Sequence, residues 1–388
     1  MRKEKTREPL IHIAKRDVLP TWQSWLIRIG SIAAALIFCA VIIVLLTGEN
    51  PISIYATMIK GAIGTSRRVW SMLQNVAMLL CVSLAVTPAF KMKFWNIGAE
   101  GQVLIGGLAT TACMILLGNS LPTYMLIPLI FVASMLAGAV WALIPAVFKA
   151  IWNTNETLFT LMMNYIAIQI VSYFAYVWSV PKGSGAIGVI NGTTHNGWLP
   201  DIFGQKYLIN ILIVALLTVL VYIYLKYSKH GYEISVVGES ENTAKYIGIN
   251  VKKVIIRTML VSGALCGVAG VLLVSGTDHT LTKDTAAGRG FTAIIVSWLA
   301  KFNPIYMVLT SLLIVFLQKG AVEIASVFEL NDSFSDIITG IIIFFIIGSE
   351  FFINYKIKFN KKEEMHNVGF FFTQSCYAGY SSSLRLNR

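Results

Sequence analysis

Two carboxylates stand out by their surroundings. Glu100 lies in KMKFWNIGAEGQVLIGG (Lys91 to Gly107), between glycines and beside Gln102, and Glu156 lies in WNTNETLFTLMMNYIA. Each borders a long uncharged run, and an acid carried into such a run must be paired, buried in protein or open to water. Carboxylates of this kind can hold a coupling ion, relay a proton or contact a polar solute. Asn153, Glu156, Thr157, Thr160 and Asn164 share one helical face, so they should point into a bundle, with Asn155 opening the helix. That face has two readings, hydrogen-bonded helix packing or the lining of a solute's route. A third polar stretch, TKDTAAGRGFTAIIVSWLAKFNPI, places Gly288 and Gly290 before a short apolar run and Pro304 after it.

No catalytic set emerges. The five histidines (His12, His195, His230, His279, His366) are isolated, and Asp278, His279 and Asp284 lack metal-ligand spacing, so no metal site is expected. There is no nucleophile–base pair and no Walker A pattern, so the chain itself binds no cofactor and hydrolyses no ATP by that route. The five cysteines are scattered and read as small core residues.

The elements that must carry these residues are membrane helices. The chain has 388 residues, 56% hydrophobic and 13% charged, with a mean hydropathy of +0.70, too apolar for an ordinary soluble domain. Backbone amides in lipid must be satisfied within the segment, so helices of about 20 residues are the spanning solution. The expectation is an all-α polytopic bundle of about ten segments: 27–47, 71–90, 97–118, 123–148, 157–179, 207–226, 254–275, 290–300, 303–322 and 336–354. The eighth is too short to span and is either a half-helix backed by protein or a continuation of its neighbour. It lies five segments after the third, runs oppositely and shares its Gly-x-Gly-like start, the pattern of inverted five-helix repeats.

Basic residues orient the bundle. With the N-terminus inside and ten crossings, the inner side receives 23 of the 31 Lys and Arg residues, and the reverse orientation would invert that bias. The net charge of +12 is then a topological signal plus attraction to anionic lipid, and nucleic acid is not needed to explain it. The chain divides into a basic inner segment, 1–28, a membrane domain, 29–354, and an inner tail, 355–388; no cleavable signal peptide is expected. The outer loop 180–206 reads as turns. In the inner loop 227–253, Glu239 or Ser240 can cap a short helix ENTAKYI that Gly248 ends. Glu100 falls at the inner N-terminus of the third segment, where the helix dipole favours a negative charge and Lys91 or Lys93 can pair with it; direct solute contact is the competing reading. Gly98, Gly101, Gly106 and Gly107 let a neighbouring helix approach closely.

FWNIGAEGQVLIGG, NETLFTLMMNYIA, VVGESENTAKYIGINVKKVIIRTMLVSGALCGVAGV and GRGFTAIIVSWLAKFNPI occur in that order. Together they resemble the permease subunits of bacterial ABC importers for nucleosides and simple sugars, in the branched-chain amino acid and ribose-type permease superfamily. The similarity runs from about Ile52 to Phe352, and NETLFTLMMNY leans toward the nucleoside branch. The resemblance implies a passive translocation subunit in a bacterial cell membrane, with both termini cytoplasmic. Its partners would be a second related permease, two copies of a cytoplasmic ATPase that uses the ATP, and an extracellular substrate-binding lipoprotein. It also implies that Gly238–Gly248 is the coupling element, with Glu239, Asn242, Ala244, Tyr246 and Gly248 as ATPase contacts. Asn155, Thr160, Asn164, Gly288 and Gly290 would line the solute's route, and Asn96, Gly98, Glu100, Gly101, Gln102 and Glu156 would form a packing and gating element. Two features depart from the family. Ala300 and Lys301 stand where Leu-Gly is common before Asn-Pro, which puts the local turn in doubt, and the tail MHNVGFFFTQSCYAGYSSSLRLNR matches nothing in it.

Overall fold

The computed structural model describes residues 11–16, 19–48, 50–184 and 186–359. Among them, nine helices are long and apolar enough to cross a membrane. In chain order the helices are α1 (Thr21–Thr47), α2 (Pro51–Ile63), α3 (Ser66–Lys91), α4 (Ala99–Leu117), α5 (Thr123–Trp152), α6 (Glu156–Val177), α7 (Leu208–Tyr227), α8 (Lys229–Glu239), α9 (Glu241–Tyr246), α10 (Val251–Leu273), α11 (Arg289–Leu299), α12 (Pro304–Val327) and α13 (Asp332–Asn354). The expected all-α bundle is thus the observed one. The short eighth segment is α11, a separate helix. Its 11 residues rise only ~16 Å, about half the hydrocarbon core, and it packs on α3, α4 and α12. The tail from 360 onward, including the unmatched stretch, lies outside the described residues.

Helix starts follow local chemistry. Asn50 caps α2 and Asn303 caps α12, each with proline at the first helical position, where the missing N–H costs nothing. The amphipathic α2, whose apolar run is interrupted by Lys60, is too short and mixed to register as a hydrophobic span and is absent from the sequence expectation.

Residues 32–347 form one compact unit. Its trunk is α10, which packs most extensively on α5 and then on α4 and α3. Small residues make this possible. A side chain on Gly263 or Gly138 would overlap the other's carbonyl oxygen, and one on Gly267 would run into the Ser134 backbone. At Gly106 and Gly270 the nearest atom is likewise backbone of the facing helix. Ser134 ties the three helices together, its hydroxyl lying 2.8 Å from the Gly106 carbonyl and 2.7 Å from that of Gly267. After Leu273 the helix widens into a π-helical turn, Val274–Asp278, and Asn210 of α7 donates to the Gly276 carbonyl at 3.1 Å. A second apolar cluster joins Ala35, Cys39 and Ile43 of α1 to α2, α12 and α13.

The described parts of 1–31 and 348–388 belong to the other unit. Within it, β1 (Ile11–Lys15) pairs antiparallel with β2 (Tyr355–Phe359), Ile13 opposite Ile357, and Arg28 pairs with Glu350 at 2.5 Å. This ribbon was not foreseen from the sequence.

Candidate functional site

Glu100 stands in the first turn of α4, 8% exposed, and its partners are not the lysines. Its Oε1 accepts the Gly288 amide and its Oε2 the Gly290 amide, both at 2.7 Å. Gly288 is the cap of α11 at φ +69°, a conformation that glycine adopts without strain, and with no side chain it cannot itself cap the helix. One carboxylate therefore stands at the N-termini of two helices, both of which favour negative charge. Gly290 must be glycine for this approach, because a Cβ there would press on the Glu100 amide nitrogen.

The depth of Glu100 also differs from expectation. Residues 92–98 do not lie along the end of the bundle but turn back into it. Asn96, fully buried, donates to the Ser262 hydroxyl at 3.3 Å, about three turns into α10. Its Oδ1 accepts from Gly98 N at 3.1 Å and Gln102 Nε2 at 3.2 Å, so the two amide side chains brace the start of α4. Asn164 completes the brace from α6. Its Oδ1 accepts the otherwise orphaned Gly101 amide at 2.8 Å, and its Nδ2 donates to the Ile97 carbonyl at 2.8 Å. Thr160 accepts from Ile97 N at 3.2 Å, and Gly98 lies against it. Thus Asn96, Gly98, Glu100, Gly101, Gln102, Thr160, Asn164, Gly288 and Gly290 converge in one buried polar core.

Asn155 and Glu156 stand apart. Asn155 is exposed and caps α6 through Thr157 N and Leu158 N, and Glu156 pairs with Lys149 at 2.9 Å. Sequence reasoning missed Ser262 and Arg289, which complete the core. Arg289 reaches the Thr285 carbonyl at 3.2 Å and Asn75 Oδ1 at 3.2 Å. The signal was an arginine within a glycine-flanked apolar stretch, and an asparagine inside α3.

At the α7–α10 connection, Ser240 caps α9 by accepting from Thr243 N at 3.2 Å, and Gly248 ends the turn at φ +83°. Glu239, Asn242, Tyr246 and Gly248 are exposed, Tyr246 to 91%. Ala244 corrects the expected contact set: it is fully buried and seats the helix on the bundle. Glu233 of α8 pairs with Arg257 at 2.5 Å, and that hydrogen bond holds its carboxyl below the usual range. At the other end, in the 178–207 loop, Trp198 stacks between His195 and His279 with ring centroids 4.2 and 3.6 Å apart. Burial and then the nearby Lys206 push His279 down, favouring the neutral ring in that stack.

A bundle of membrane-length helices around a braced polar core, with a short exposed helix at one end, is the architecture of a multi-pass membrane protein. A family model described as branched-chain amino acid transport system / permease component matches residues 68–347, and the chain belongs to that family. It is therefore a transport component rather than an enzyme. It is 27% identical to the glucose ABC transporter permease protein TsgB13 of Haloferax volcanii, over 89% of this chain and 93% of the relative. It is 29% identical to the guanosine ABC transporter permease protein NupP of Bacillus subtilis, over 82% and 90% of the two chains. It is also 29% identical to the nucleoside ABC transporter permease protein NupB of Lactococcus lactis subsp. cremoris, over 79% and 86%. No solved structure matches the chain.

Proposed function

We propose that this chain is the membrane-spanning subunit of an ATP-driven importer that takes up nucleosides or purine-like solutes. Family membership across residues 68–347 carries the reading, and two relatives named for guanosine and nucleoside transport support the solute class. The relative named for glucose favours a second reading, uptake of a simple sugar.

The chain would sit in a bacterial cell membrane with its termini and the α8–α9 element in the cytoplasm, beside a second permease chain. A cytoplasmic ATPase would seat on α9, with Tyr246 as the anchor, since a large aromatic left almost wholly exposed on a capped helix fits a protein groove. An extracellular lipoprotein would deliver solute to the loop carrying His195 and Trp198. ATP would be used by the ATPase alone, and this chain would bind no cofactor. The test is uptake of labelled guanosine, other nucleosides and glucose by the assembled complex in proteoliposomes, with a hydrolysis-dead ATPase as control. Accumulation of nucleoside that needs hydrolysis is the expected result, and transport that persists with the dead ATPase overturns the importer reading.

A further inference from the structure

Beside the buried core lies a cavity of about 250 Å³ between α3, α11, α12 and α13. Its wall is mixed, with Leu79, Val315 and Val322 beside a larger set of polar side chains, unlike that of an ordinary gap between apolar helices. Asn75, Arg289, Gln318, Lys319, Asp336 and Thr339 all line it. Arg289 meets carbonyl oxygens and Asn75 but pairs with no carboxylate among the described residues. Lys319 and Gln318 are partly buried, and among the described residues neither has a hydrogen-bond or ion-pair partner. Asp336, at the rim, is exposed.

The position of these residues constrains what the cavity faces. Asn75 lies in the first half of α3, Lys319 in the second half of α12 and Thr339 in the first half of α13, so they share the half of the bundle nearer the 178–207 loop. The ammonium of Lys319 and the amide of Gln318, unpaired within the membrane-length α12, cannot face hydrocarbon and face the interior of the bundle, water or another protein chain. The cavity is smaller than the ~300–1,000 Å³ of drug-sized ligand pockets, so it suits a small solute.

We propose that this cavity is a solute-binding station on the translocation route, where Lys319, Gln318 and Arg289 donate hydrogen bonds to the hydroxyl and ring-nitrogen acceptors of a nucleoside-sized neutral solute. The station rests on the importer reading above. Its lining comes from four helices and its unpaired groups leave affinity to the solute, while its modest size and open side leave binding weak enough for release.

The test uses the whole complex in proteoliposomes, with labelled guanosine and a panel of other nucleosides and monosaccharides as probes. Lys319→Met and Gln318→Leu should each raise the KM for uptake about tenfold, the loss of one hydrogen bond that strengthens binding throughout, with kcat and ATPase rate unchanged. Lys319→Arg should restore much of the loss. In a cysteine-free background, Thr339→Cys should react with a water-soluble thiol reagent, and guanosine should slow that reaction. Unchanged KM in both variants, or a Thr339→Cys variant whose labelling is absent or indifferent to every probe, overturns the station even where wild-type uptake is normal. Wild-type complex that hydrolyses ATP yet accumulates no probe overturns the importer reading instead. Variants that fail to assemble leave the decision to the labelling arm.

Discussion

Glu100→Gln isolates the carboxylate at the junction of α4 and α11. The glutamate gives one oxygen to Gly288 N and the other to Gly290 N, each at 2.7 Å. Glutamine keeps the shape but has one carbonyl oxygen, and its NH2 then faces an amide N–H, donor against donor. Leaving that buried amide unpaired costs about 1–3 kcal/mol, and the surviving bond weakens from a charge-assisted to a neutral one. The net penalty is about 2–4 kcal/mol, which lowers protection of the α11 N-terminus against hydrogen exchange roughly 30- to 700-fold. Exchange measured by mass spectrometry over residues 286–292, in nanodiscs, reads this directly, with α5 as an internal reference. Unchanged protection at 286–292 refutes the two-amide clamp. Equal loss across α5 refutes it as well, since the damage would then be global. Uptake should fall in parallel, because the clamp joins the core to the helix that carries Arg289.

Four further outcomes follow from the same geometry. Gly267→Val should prevent assembly of the α4–α5–α10 trunk, since the clashing Ser134 atoms are backbone and cannot rotate away; the monodisperse peak in size-exclusion of a fluorescent fusion should be lost. Gly248→Val meets open space but needs φ +83°, a strain of ~1–2 kcal/mol for a β-branched residue, so it should impair coupling of ATPase to uptake while membrane insertion stays normal. Lys301 sits at φ +51°, so Lys301→Gly should stabilise the α11–α12 turn by up to ~1 kcal/mol, seen as a higher melting midpoint. Because Arg257 depresses the Glu233 pKa, the pair stabilises the fold above the unfolded value of about 4.3 and the effect is lost as pH falls through the folded value; Glu233→Gln should therefore lower stability at pH 7 and match wild type in strong acid.

The helices were legible because lipid leaves an amino-acid sequence little choice. Uncharged runs mark the spans, Asn155 and Ser240 mark helix starts, and the glycine-flanked run before Pro304 announced a helix too short to cross. The turn at Ala300–Lys301, flagged because lysine replaces an expected glycine, adopts positive φ at Lys301 and again at Phe302. The depth of Glu100 was not legible. It depends on residues 92–98 folding back into the bundle, and that fold-back is held by Ser262, 166 residues beyond Asn96. A local pattern can place an acid at a helix start, but only a long-range contact says how deep the helix starts. The polar cavity was hidden for the same reason: Asn75, Arg289, Lys319 and Thr339 come from four helices, and each alone reads as an isolated polar residue.

The buried core also gives a physical route from the exposed α9 element to the cavity. Ala244 and Ile249 seat α9 against the start of α10, whose cap is Asn250. About three turns on, Ser262 holds Asn96, which with Gln102 braces the start of α4, and Glu100 then holds α11 and, through it, Arg289. A rigid-body shift of α10 would move each of these in turn, because its glycine-packed seams leave no room to absorb displacement. Contiguity alone is not coupling, so the decisive measurement is a double-mutant cycle on uptake with Asn96→Ala and Glu100→Gln. If both act through one braced element, the double variant should lose little more than the worse single variant. Additive losses would mean that Asn96 and Glu100 stabilise separate parts of the fold, and the route from α9 to α11 would have to run elsewhere.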